Sequence, residues 1–411
     1  MSSPDELALF EAVEVALLKR WPEAQIDPTL DRIAALTDAL GSPQLSYPII
    51  HIGGTNGKTT TSRAIDTLMT KLDYRTGRFT SPHLESILER ISIKGAPITA
   101  EGFVATYNDI ALYLNLIDSR QPNPLSYFEV LTAMAFVAFA EFPVDIGIIE
   151  VGMGGEWDST NVVSPAVSVI TPIGIDHAAY LGNTVEEIAK TKAGIIKPES
   201  HVVLAAQEPT VAKILLERVA EKSAIPYREG IEFAVVKRDI AIGGQVVTIQ
   251  GVHGEYKDIF IPLYGAHQAS NAAIALAAVE AFAQTQIEAD VVARAFANVQ
   301  SPGRCEVLYR DPTVIVDAAH NPHGAHALAQ TLSSEFDFES GTRKQLIDRM
   351  KNWQIKYNIG ITDTLISVSR KDIESANDAD LILKYDDYNH NLKGYILKYN
   401  DYINSILFTS S

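Results

Sequence analysis

A glycine-rich turn between an apolar run and a helical pattern constrains the fold of this chain more than any other feature. The run begins at Ile49, the turn ends in Gly57-Lys58-Thr59, and the helical pattern continues to about Leu72. In such a turn, backbone N–H groups and the N-terminus of the next helix point at bound phosphate. The layout therefore predicts a phosphate-binding loop formed by Gly54, Thr55, Asn56, Gly57, Lys58, Thr59 and Thr60.

Two side chains of this loop carry specific chemistry. Lys58 can reach the β- and γ-phosphates of a nucleotide, and the Thr59 hydroxyl can hold Mg²⁺. The match to the strict motif is partial, because Ile52 occupies the position where that motif begins with glycine. A glycine-rich turn with a surface lysine therefore stays open as the alternative.

Composition limits the partners and the compartment. A formal net charge of −17 disfavours binding to duplex nucleic acid. The single cysteine, Cys305, suits a reducing cytosol. The N-terminal residues lack the pattern of a signal peptide, and no uncharged apolar run reaches the roughly 18 residues that span a membrane. We therefore expect a cytoplasmic protein that acts on small molecules, without nucleic-acid or membrane partners. We also expect a monomer, although no sequence feature addresses the oligomeric state.

Apolar strands alternate with helical patterns over the first half of the chain. The predicted strands are short, β-branched and continuously apolar: Tyr47–Ile52, Asp145–Val151, Ala166–Ile170 and His201–Ala205. Helices are predicted near residues 59–72, 126–141, 184–197 and 209–223. An earlier helix is expected to start at Asp27-Pro28 and to stop at Gly41. This alternation predicts an α/β fold with a mostly parallel sheet buried on both faces.

Residues 230–263 change character and predict a small β-rich addition. The pattern indicates a hairpin of Asp239–Ile242 with Gln245–Gln250, and a further strand near Ile259–Ile261. A helix is predicted to follow over about Ser270–Ala283.

The stretch Gln300–Gly303 is typical of a linker and divides the chain into predicted domains at residues 1–298 and 304–411. The second domain is expected to open with a strand at Thr313–Asp317 and a helix at Gly324–Ser334. Beyond about residue 338 the chain becomes rich in Lys, Asn, Asp, Tyr and Ile, so the domain is atypical there. A foreign or frame-shifted tail and a diverged domain are both open interpretations.

Polar residues follow several of the predicted strands, at the edge where ligands bind in open α/β sheets. Glu150 ends an apolar strand and precedes glycines, and one carboxylate suffices for Mg²⁺ beside Thr59 and phosphate oxygens. His177 follows the next strand and is a candidate metal ligand, base or plain loop residue. Lys192 lies late in a helix, where lysine usually complements the helix dipole.

Two more polar clusters belong to the second half of the chain. His267, Gln268 and Asn271 open an alanine-rich helix, where capping and ligand binding are both open. Arg304 follows the linker, and Asp317 stands at a predicted strand end. Such residues suit a site closed between two domains, and arginine matches a transferring phosphoryl group.

Taken in order, these segments resemble the folylpolyglutamate synthase/dihydrofolate synthase branch of the Mur ligase family. The matching segments are Gly54–Thr59, Thr80–Leu84, Glu89–Ile91, Tyr127–Glu129, Glu150–Gly155, Asp158–Asn161, Ile175–His177, Lys192–Gly194, His267-Gln268 with Asn271, Pro302–Arg304, and Asp317 with His320-Asn321. The resemblance implies a P-loop-containing, mostly parallel-sheet ATPase domain with the β-rich addition. A smaller Rossmann-like α/β domain would follow it.

The resemblance also implies a reaction, ATP-dependent addition of L-glutamate to folates or to dihydropteroate through an acyl phosphate. By resemblance, Thr59 and Glu150 hold one Mg²⁺. By the same resemblance, Glu150, His177 and a carbamylated Lys192 are ligands of a second Mg²⁺. Asn271 resembles an adenine contact, and Arg304 resembles a group that offsets phosphoryl charge.

Further roles follow from the same resemblance. Asp317 and His320 resemble nucleotide or glutamate contacts, and the loop Ser81-Pro82-His83 resembles the pterin-binding loop of this branch. Lys58, His177, Lys192 and Arg304 would form the catalytic set.

The sequence departs from the family pattern at two places. Glu156 stands where the family has arginine, and this charge reversal is expected to weaken phosphate or substrate binding. In the tail, Ser369–Ile373 is only a faint match to an Asp-Lys-Asp element of the family. Two alternatives stay open, namely another Mur-type amino-acid ligase and a nucleotide-binding homologue that has lost catalysis. The roughly fifty residues before the phosphate loop favour a folate over a muramyl-peptide substrate.

Overall fold

An eight-stranded, mostly parallel sheet forms the centre of the structure, a computed structural model that describes residues 4–22, 27–310, 313–319, 321–336 and 395–397. The strands in chain order are β1 (Ile49–Gly53), β2 (Thr76–Phe79), β3 (Ile91–Ile93), β4 (Ala96–Pro97), β5 (Ile146–Glu150), β6 (Val167–Ile170), β7 (His201–Leu204) and β8 (Ile225–Arg228). Their order across the sheet is β4-β3-β2-β5-β1-β6-β7-β8. In this spatial order the six strands β2-β5-β1-β6-β7-β8 are parallel, and β3 and β4 extend the β2 edge as antiparallel strands.

Helices cover both faces of this sheet, which explains why its central strands are continuously apolar. Every residue of β1, β5 and β6 is buried. Ile50 and Ile52 belong to a core with α3 (Lys58–Lys71), α9 (Ala266–Ala283) and α10 (Ala289–Phe296). Ile49 points the other way, into a core with α4 (Ala100–Asp118) and α5 (Tyr127–Glu141).

The remaining helices of this unit are α1 (Pro4–Leu18), α2 (Asp31–Ala39), α6 (Ala178–Leu181), α7 (Val185–Ala193) and α8 (Pro209–Glu221). The predicted start of α2 at Asp27-Pro28 is wrong, because Asp27 accepts a hydrogen bond from Arg32 at 2.6 Å and lies outside the helix. The predicted stop is confirmed, with Gly41 at φ +80° just past the end of the helix. The structure describes no helix long and apolar enough to cross a membrane.

Helix α7 begins as expected and ends early. Its N-terminus has a capping box formed by Thr184 and Glu187. It ends at Ala193 rather than at residue 197, and its C-cap residue Gly194 packs closely against the Glu156 segment. A Cβ atom at Gly194 would lie 2.5 Å from the Glu156 Cα atom.

A three-stranded antiparallel sheet forms the predicted β-rich addition. It consists of β9 (Ala234–Ala241), β10 (Gly244–Gln250) and β11 (Glu255–Ile261), in the order β11-β10-β9. The hairpin between β9 and β10 is confirmed, and Gly243 provides its positive φ of +80°. Helix α9 begins at Ala266, four positions before the predicted Ser270, so the polar cluster around His267 lies on the helix itself.

The part of the chain after the linker contributes β12 (Glu306–Arg310), β13 (Thr313–Asp317), α11 (Pro322–Glu335) and β14 (Tyr395–Leu397). The strands pair antiparallel in the order β12-β13-β14. The predicted strand and helix of this region are thus confirmed. The Rossmann-like arrangement and the domain boundaries stay predictions. Both His320 and the tail segment Ser369–Ile373 lie outside the described residues.

Candidate functional site

The turn after β1 is shaped by two glycines with positive φ. A Cβ added at Gly54 (φ +135°) would lie 2.0 Å from Thr171 Oγ1. At Gly57 (φ +89°) it would lie 2.4 Å from Asn271 Oδ1. A side chain at either position would therefore collide with a neighbouring segment. The same close approach brings Asn271, the predicted adenine contact, directly beside the loop.

Lys58 starts α3 and folds back over the loop. Its Nζ donates to the carbonyl oxygens of Gly54 and Thr55, each at 3.3 Å. Thr60, two residues further along α3, shares a hydrogen bond of 2.7 Å with Ser301 Oγ in the linker. An ammonium group therefore lies beside a helix N-terminus, a combination that binds phosphate.

The end of β5 meets this loop through a carboxylate. Glu150 Oε1 accepts a hydrogen bond of 2.9 Å from Thr59 Oγ1. Glu150 Oε2 is buried and has no hydrogen-bond partner within the part of the chain that the structure describes. Burial raises the pKa of Glu150 to about 7, against the opposing effects of Lys58, Thr59 and Arg304. A buried carboxylate oxygen with spare capacity beside a hydroxyl fits a hard cation such as Mg²⁺.

Lys192 lies on the other side of the phosphate loop. Its Nζ is buried and donates to the Gly54 carbonyl oxygen at 2.8 Å. Burial, followed by the charge of Lys58, lowers the pKa of Lys192 to about 7. A substantial fraction of this amine is therefore neutral near neutral pH, which is the nucleophilic form.

His177 lines the cavity at the N-cap of α6, with a left-handed φ of +49°. Its Nε2 lies 4.0 Å from Asp176 Oδ1. The described ranges contain no group of three or more His, Cys, Asp or Glu side chains arranged around a single metal position. Any metal here would therefore depend on Thr59 and on ligand oxygens as well as on Glu150.

The segment after the linker closes over the loop. Asn321 Nδ2 donates to Asn56 Oδ1 at 3.0 Å and to Asp176 Oδ2 at 3.1 Å. His323 Nδ1 lies 3.2 Å from Asn56 Nδ2. Asn321 also caps α11 by accepting from the Gly324 N–H. The two contacts made by Asn56 join residues more than 260 positions apart, and the contact through His323 was not predicted from the sequence.

Asp317 and Arg304 have different roles in this closure. The Asp317 carboxylate accepts from the N–H groups of Cys305 and Ala319, each at 2.7 Å, so it organises the turn that carries Arg304. Arg304 itself lines the cavity. Its charge acts on Glu150 and, after the larger effect of burial, helps to lower the pKa of His267 to about 4.

Two of the three residues of the predicted pterin loop reach the cavity. Ser81 and Pro82 line it. His83 instead lies behind the loop, where its Nδ1 accepts from Arg90 Nε at 2.9 Å. Burial and the Arg90 charge lower the pKa of His83 to about 4. His83 therefore supports the loop from behind, as a neutral acceptor.

Most of these groups line one cavity of about 500 Å³, whereas Lys192, Asn321 and His83 are not among its lining residues. One end is the phosphate loop with Asn271 and Arg304. The other end, called here the acceptor end, is lined by residues that the sequence did not mark as site residues: Trp21, Arg32, Arg63, Phe128, Glu129 and Trp157. Arg32 Nε donates to the Glu129 carboxylate at 3.0 Å in a buried ion pair, and its guanidinium carbon lies 5.8 Å from the centroid of the Trp21 ring.

Glu156 does not face this cavity. Its side chain is exposed, and its backbone carbonyl accepts from Asn161 Nδ2 at 2.9 Å. The Glu156 side chain therefore points to solvent. No contact among the described residues would carry the expected effect of the charge reversal to the phosphate loop.

Comparisons with known proteins agree with this geometry. Residues 52–279 match the Mur ligase middle domain. The chain is 54% identical over 353 residues to the dihydrofolate synthase/folylpolyglutamate synthase of Mycobacterium tuberculosis, covering 82% of this chain and 72% of that protein. This chain belongs to the folylpolyglutamate synthase/dihydrofolate synthase family. The predicted family, fold class and class of enzyme, a ligase of the Mur type, are thereby confirmed.

Solved structures of this family extend the comparison. A Mycobacterium tuberculosis folylpolyglutamate synthase complexed with ADP superposes with a TM-score of 0.78 at 54% identity, over 81% of this chain and 75% of that one. A folylpolyglutamate synthase complex with AMPPCP and folate gives a TM-score of 0.77 at 31% identity, over 84% of this chain and 87% of that one. The folylpolyglutamate synthase of Lacticaseibacillus casei is 34% identical over 326 residues, which cover 78% of this chain and 76% of that protein.

Proposed function

We propose that this chain uses ATP to add L-glutamate to dihydropteroate, to tetrahydrofolyl-glutamates, or to both. The observation that carries the proposal is the meeting of Thr59 with Glu150 at the phosphate loop, where a buried carboxylate oxygen has no protein partner among the described residues. The family relationship supports the same reaction, because solved relatives are complexes with ADP, with AMPPCP and with folate.

The reaction has two steps. An oxygen of the acceptor carboxylate forms a bond to the γ-phosphorus of ATP as the bond from that phosphorus to the β–γ bridging oxygen breaks, and ADP leaves. The amine nitrogen of L-glutamate then attacks the acyl carbon, phosphate leaves with the electron pair of the broken bond, and the nitrogen loses a proton. Both steps place negative charge beside the phosphate loop, where cations are needed.

The phosphate loop, residues 54–60, would hold the nucleotide phosphates, with Lys58 moving from its loop carbonyls to phosphate oxygens. Asn271 would contact the adenine, and Arg304 would offset charge on the transferring phosphoryl group. Asp317 would act mainly by holding the turn that carries Arg304. For His320, a nucleotide or glutamate contact remains part of the proposal by resemblance.

Thr59 and Glu150 would hold one Mg²⁺, which when bound would supply charge neutralisation at the phosphates. A second ion would use Glu150, His177 and a carbamylated Lys192. Carbamylation joins the Lys192 nitrogen to the carbon of CO₂ with loss of a proton, which turns a cation into an oxygen ligand. The lowered pKa of Lys192 supports this, because a neutral amine is the form that reacts.

Ser81 and Pro82 would contact the pterin at the acceptor end of the cavity, with His83 holding their loop in place through Arg90. We also infer that the chain works in the cytoplasm as a monomer, without nucleic-acid or membrane partners. The net charge of −17 and the single cysteine support this part of the proposal.

The decisive experiment is ADP release from Mg-ATP and L-glutamate, with dihydropteroate, with tetrahydrofolate and with no acceptor. Turnover that requires a pterin acceptor is the expected result. A muramyl-nucleotide acceptor provides the control for another Mur-type ligase. Nucleotide binding without turnover on any acceptor would contradict the proposal and favour a homologue that has lost catalysis.

A further inference from the structure

Two arginines on the cavity wall, Arg63 and Arg304, have no ion-pair or hydrogen-bond partner for their guanidinium groups within the described ranges. Arg32, which also lines the cavity, and Arg78, whose charge acts on Arg63, are both paired. Arg32 bonds the Glu129 carboxylate at 3.0 Å, and Arg78 Nε bonds Asp66 Oδ2 at 2.9 Å. Arg304 already has a proposed role at the phosphoryl group. Arg63 has none.

Arg63 lies on the part of the acceptor end that adjoins the phosphate loop. It follows Thr59 by four positions on α3, so both side chains leave the same face of the helix. Thr59 contacts Glu150, and the charge of Arg63 interacts with Glu150 and with Glu89, which belongs to the segment after the predicted pterin loop. The guanidinium therefore lies where the end of an acceptor would meet the nucleotide.

The carboxylates near Arg63 are already engaged elsewhere. Glu89 accepts from the backbone N–H groups of residues 84, 85 and 86 at distances of 2.8 to 3.0 Å. Asp66 bonds Arg78 and Thr76. Glu150 bonds Thr59. The charge of Arg63 is therefore left for a ligand.

The environment of Arg63 favours an anion. Burial and the charge of Arg78 lower its pKa to about 10, so the group remains cationic at neutral pH. A half-buried charge without a partner costs free energy, which a ligand anion would recover. The guanidinium also presents two parallel donors, which fit the two oxygens of a carboxylate.

We propose that Arg63 binds the reacting carboxylate of the acceptor and aligns it with the γ-phosphorus of ATP. This inference rests on the proposed ligase function. Both reactants in the first step are anions, and a cation between them reduces their repulsion. Arg63 thus holds the carboxylate whose oxygen attacks the phosphorus, and Arg63 neither gains nor loses a proton in this step.

The test compares R63Q and R63K with the wild type in the ADP-release assay, varying one substrate at a time. R63Q should raise the KM for the acceptor at least tenfold, with the KM values for ATP and L-glutamate within about threefold of wild type. R63K, which keeps the charge without the two-donor geometry, should recover part of the loss. The matched control is R75Q, because Arg75 is 47% exposed and pairs with Asp145 at the surface.

Ligand binding without turnover separates this inference from the proposed function. Equilibrium dialysis would compare pteroate with its carboxamide, which lacks the anionic group. R63Q should weaken binding of pteroate at least tenfold and leave binding of the carboxamide unchanged.

Three outcomes would overturn the inference. Equal losses for pteroate and for its carboxamide would indicate a structural role for Arg63. A raised KM for ATP or for L-glutamate, with an unchanged KM for the acceptor, would assign Arg63 to another ligand. Normal kinetics in R63Q beside an active wild type would defeat the inference alone, whereas a wild type that neither binds pteroate nor turns over would defeat the proposed function.

Discussion

The two ends of the cavity are constructed in different ways. The nucleotide end depends on backbone geometry: one continuous turn, two glycines with positive φ and the start of α3. The acceptor end depends on side chains from segments far apart in sequence, such as Trp21, Arg32 and Trp157. The first kind of site leaves a local motif in the sequence, and the second leaves none. The predictions that follow test how far this difference extends to chemistry and stability.

The largest expected effect is at the nucleotide end. Replacing Glu150 with glutamine should lower the rate of ADP release by about 10³-fold, roughly 4 kcal/mol in the activation free energy. The amide cannot serve as an anionic ligand for Mg²⁺. Thermal unfolding should stay near that of wild type, because glutamine removes a buried charge that burial already disfavours.

Glu156→Gln is the matched control for that variant, since the Glu156 side chain is exposed. A folded Glu150→Gln protein with near-normal turnover would remove Glu150 from the metal site and weaken the contrast between the two ends.

The second effect is at the acceptor end and concerns stability. Arg32→Met breaks a buried ion pair and leaves Glu129 without its partner, where the Arg32 and Glu129 side chains are only 8% and 5% exposed. We expect a loss of about 3 kcal/mol in the free energy of unfolding, measured by urea denaturation. Arg75→Met, which breaks the exposed pair with Asp145, should cost much less, because solvent screens an exposed ion pair. Equal losses in the two variants would show that the acceptor end is not held by this ion pair.

A third prediction concerns a chain of buried hydrogen bonds that supports the cavity wall. His51, buried in β1, contacts Thr160 Oγ1 at 2.9 Å, and Thr160 bonds Asp158, whose carboxylate holds the Met153 N–H on the cavity wall. Burial lowers the pKa of His51 from 6.5 to about 3, so the folded protein keeps it neutral.

The unfolded chain binds a proton at His51 below pH 6.5, and the folded chain does not, so stability is full above that pH and falls as the pH decreases towards 3. The contribution of His51 should be a loss of about 2 kcal/mol between pH 7 and pH 5. It is measured as the difference in pH dependence between wild type and His51→Gln in urea denaturation. Identical pH profiles for the two proteins would contradict it.

The smallest effect is expected for Glu156→Arg, which restores the residue of the family pattern. Because Glu156 points to solvent, the variant should change ADP release by less than twofold and the free energy of unfolding by less than about 0.5 kcal/mol. A large gain in activity would show that position 156 acts on the nucleotide end after all.

Local chemistry explains which parts of the fold could be predicted. Strands β1, β5, β6 and β7 are continuous apolar runs, and the phosphate loop joins the first of them to α3. Strand β2 escaped prediction because it contains Gly77 and the buried Arg78. Arg78 is tolerated there only because Asp66, on α3, accepts from it at 2.9 Å.

Close packing explains why β2 contains a glycine. Gly77 is needed because a Cβ atom would lie 2.5 Å from the ring of Phe139, on α5. In the site, Glu150 could be selected from its position at a strand end, whereas Lys192 was selected only by the family resemblance. The partners Asn56 and Asn321 could not be paired from the sequence, since their contact exists only in the folded chain.

The contact between Asn56 and Asn321 bears on how ligands enter and leave the cavity. At the mouth beside the phosphate loop, the segment after the linker is held by hydrogen bonds among amide, imidazole and carboxylate side chains. Each such bond is worth only about 1 kcal/mol net, because water replaces it readily. We expect these bonds to open more readily than the apolar contacts of the core, which would make this side of the cleft the easier exit for a bulky product.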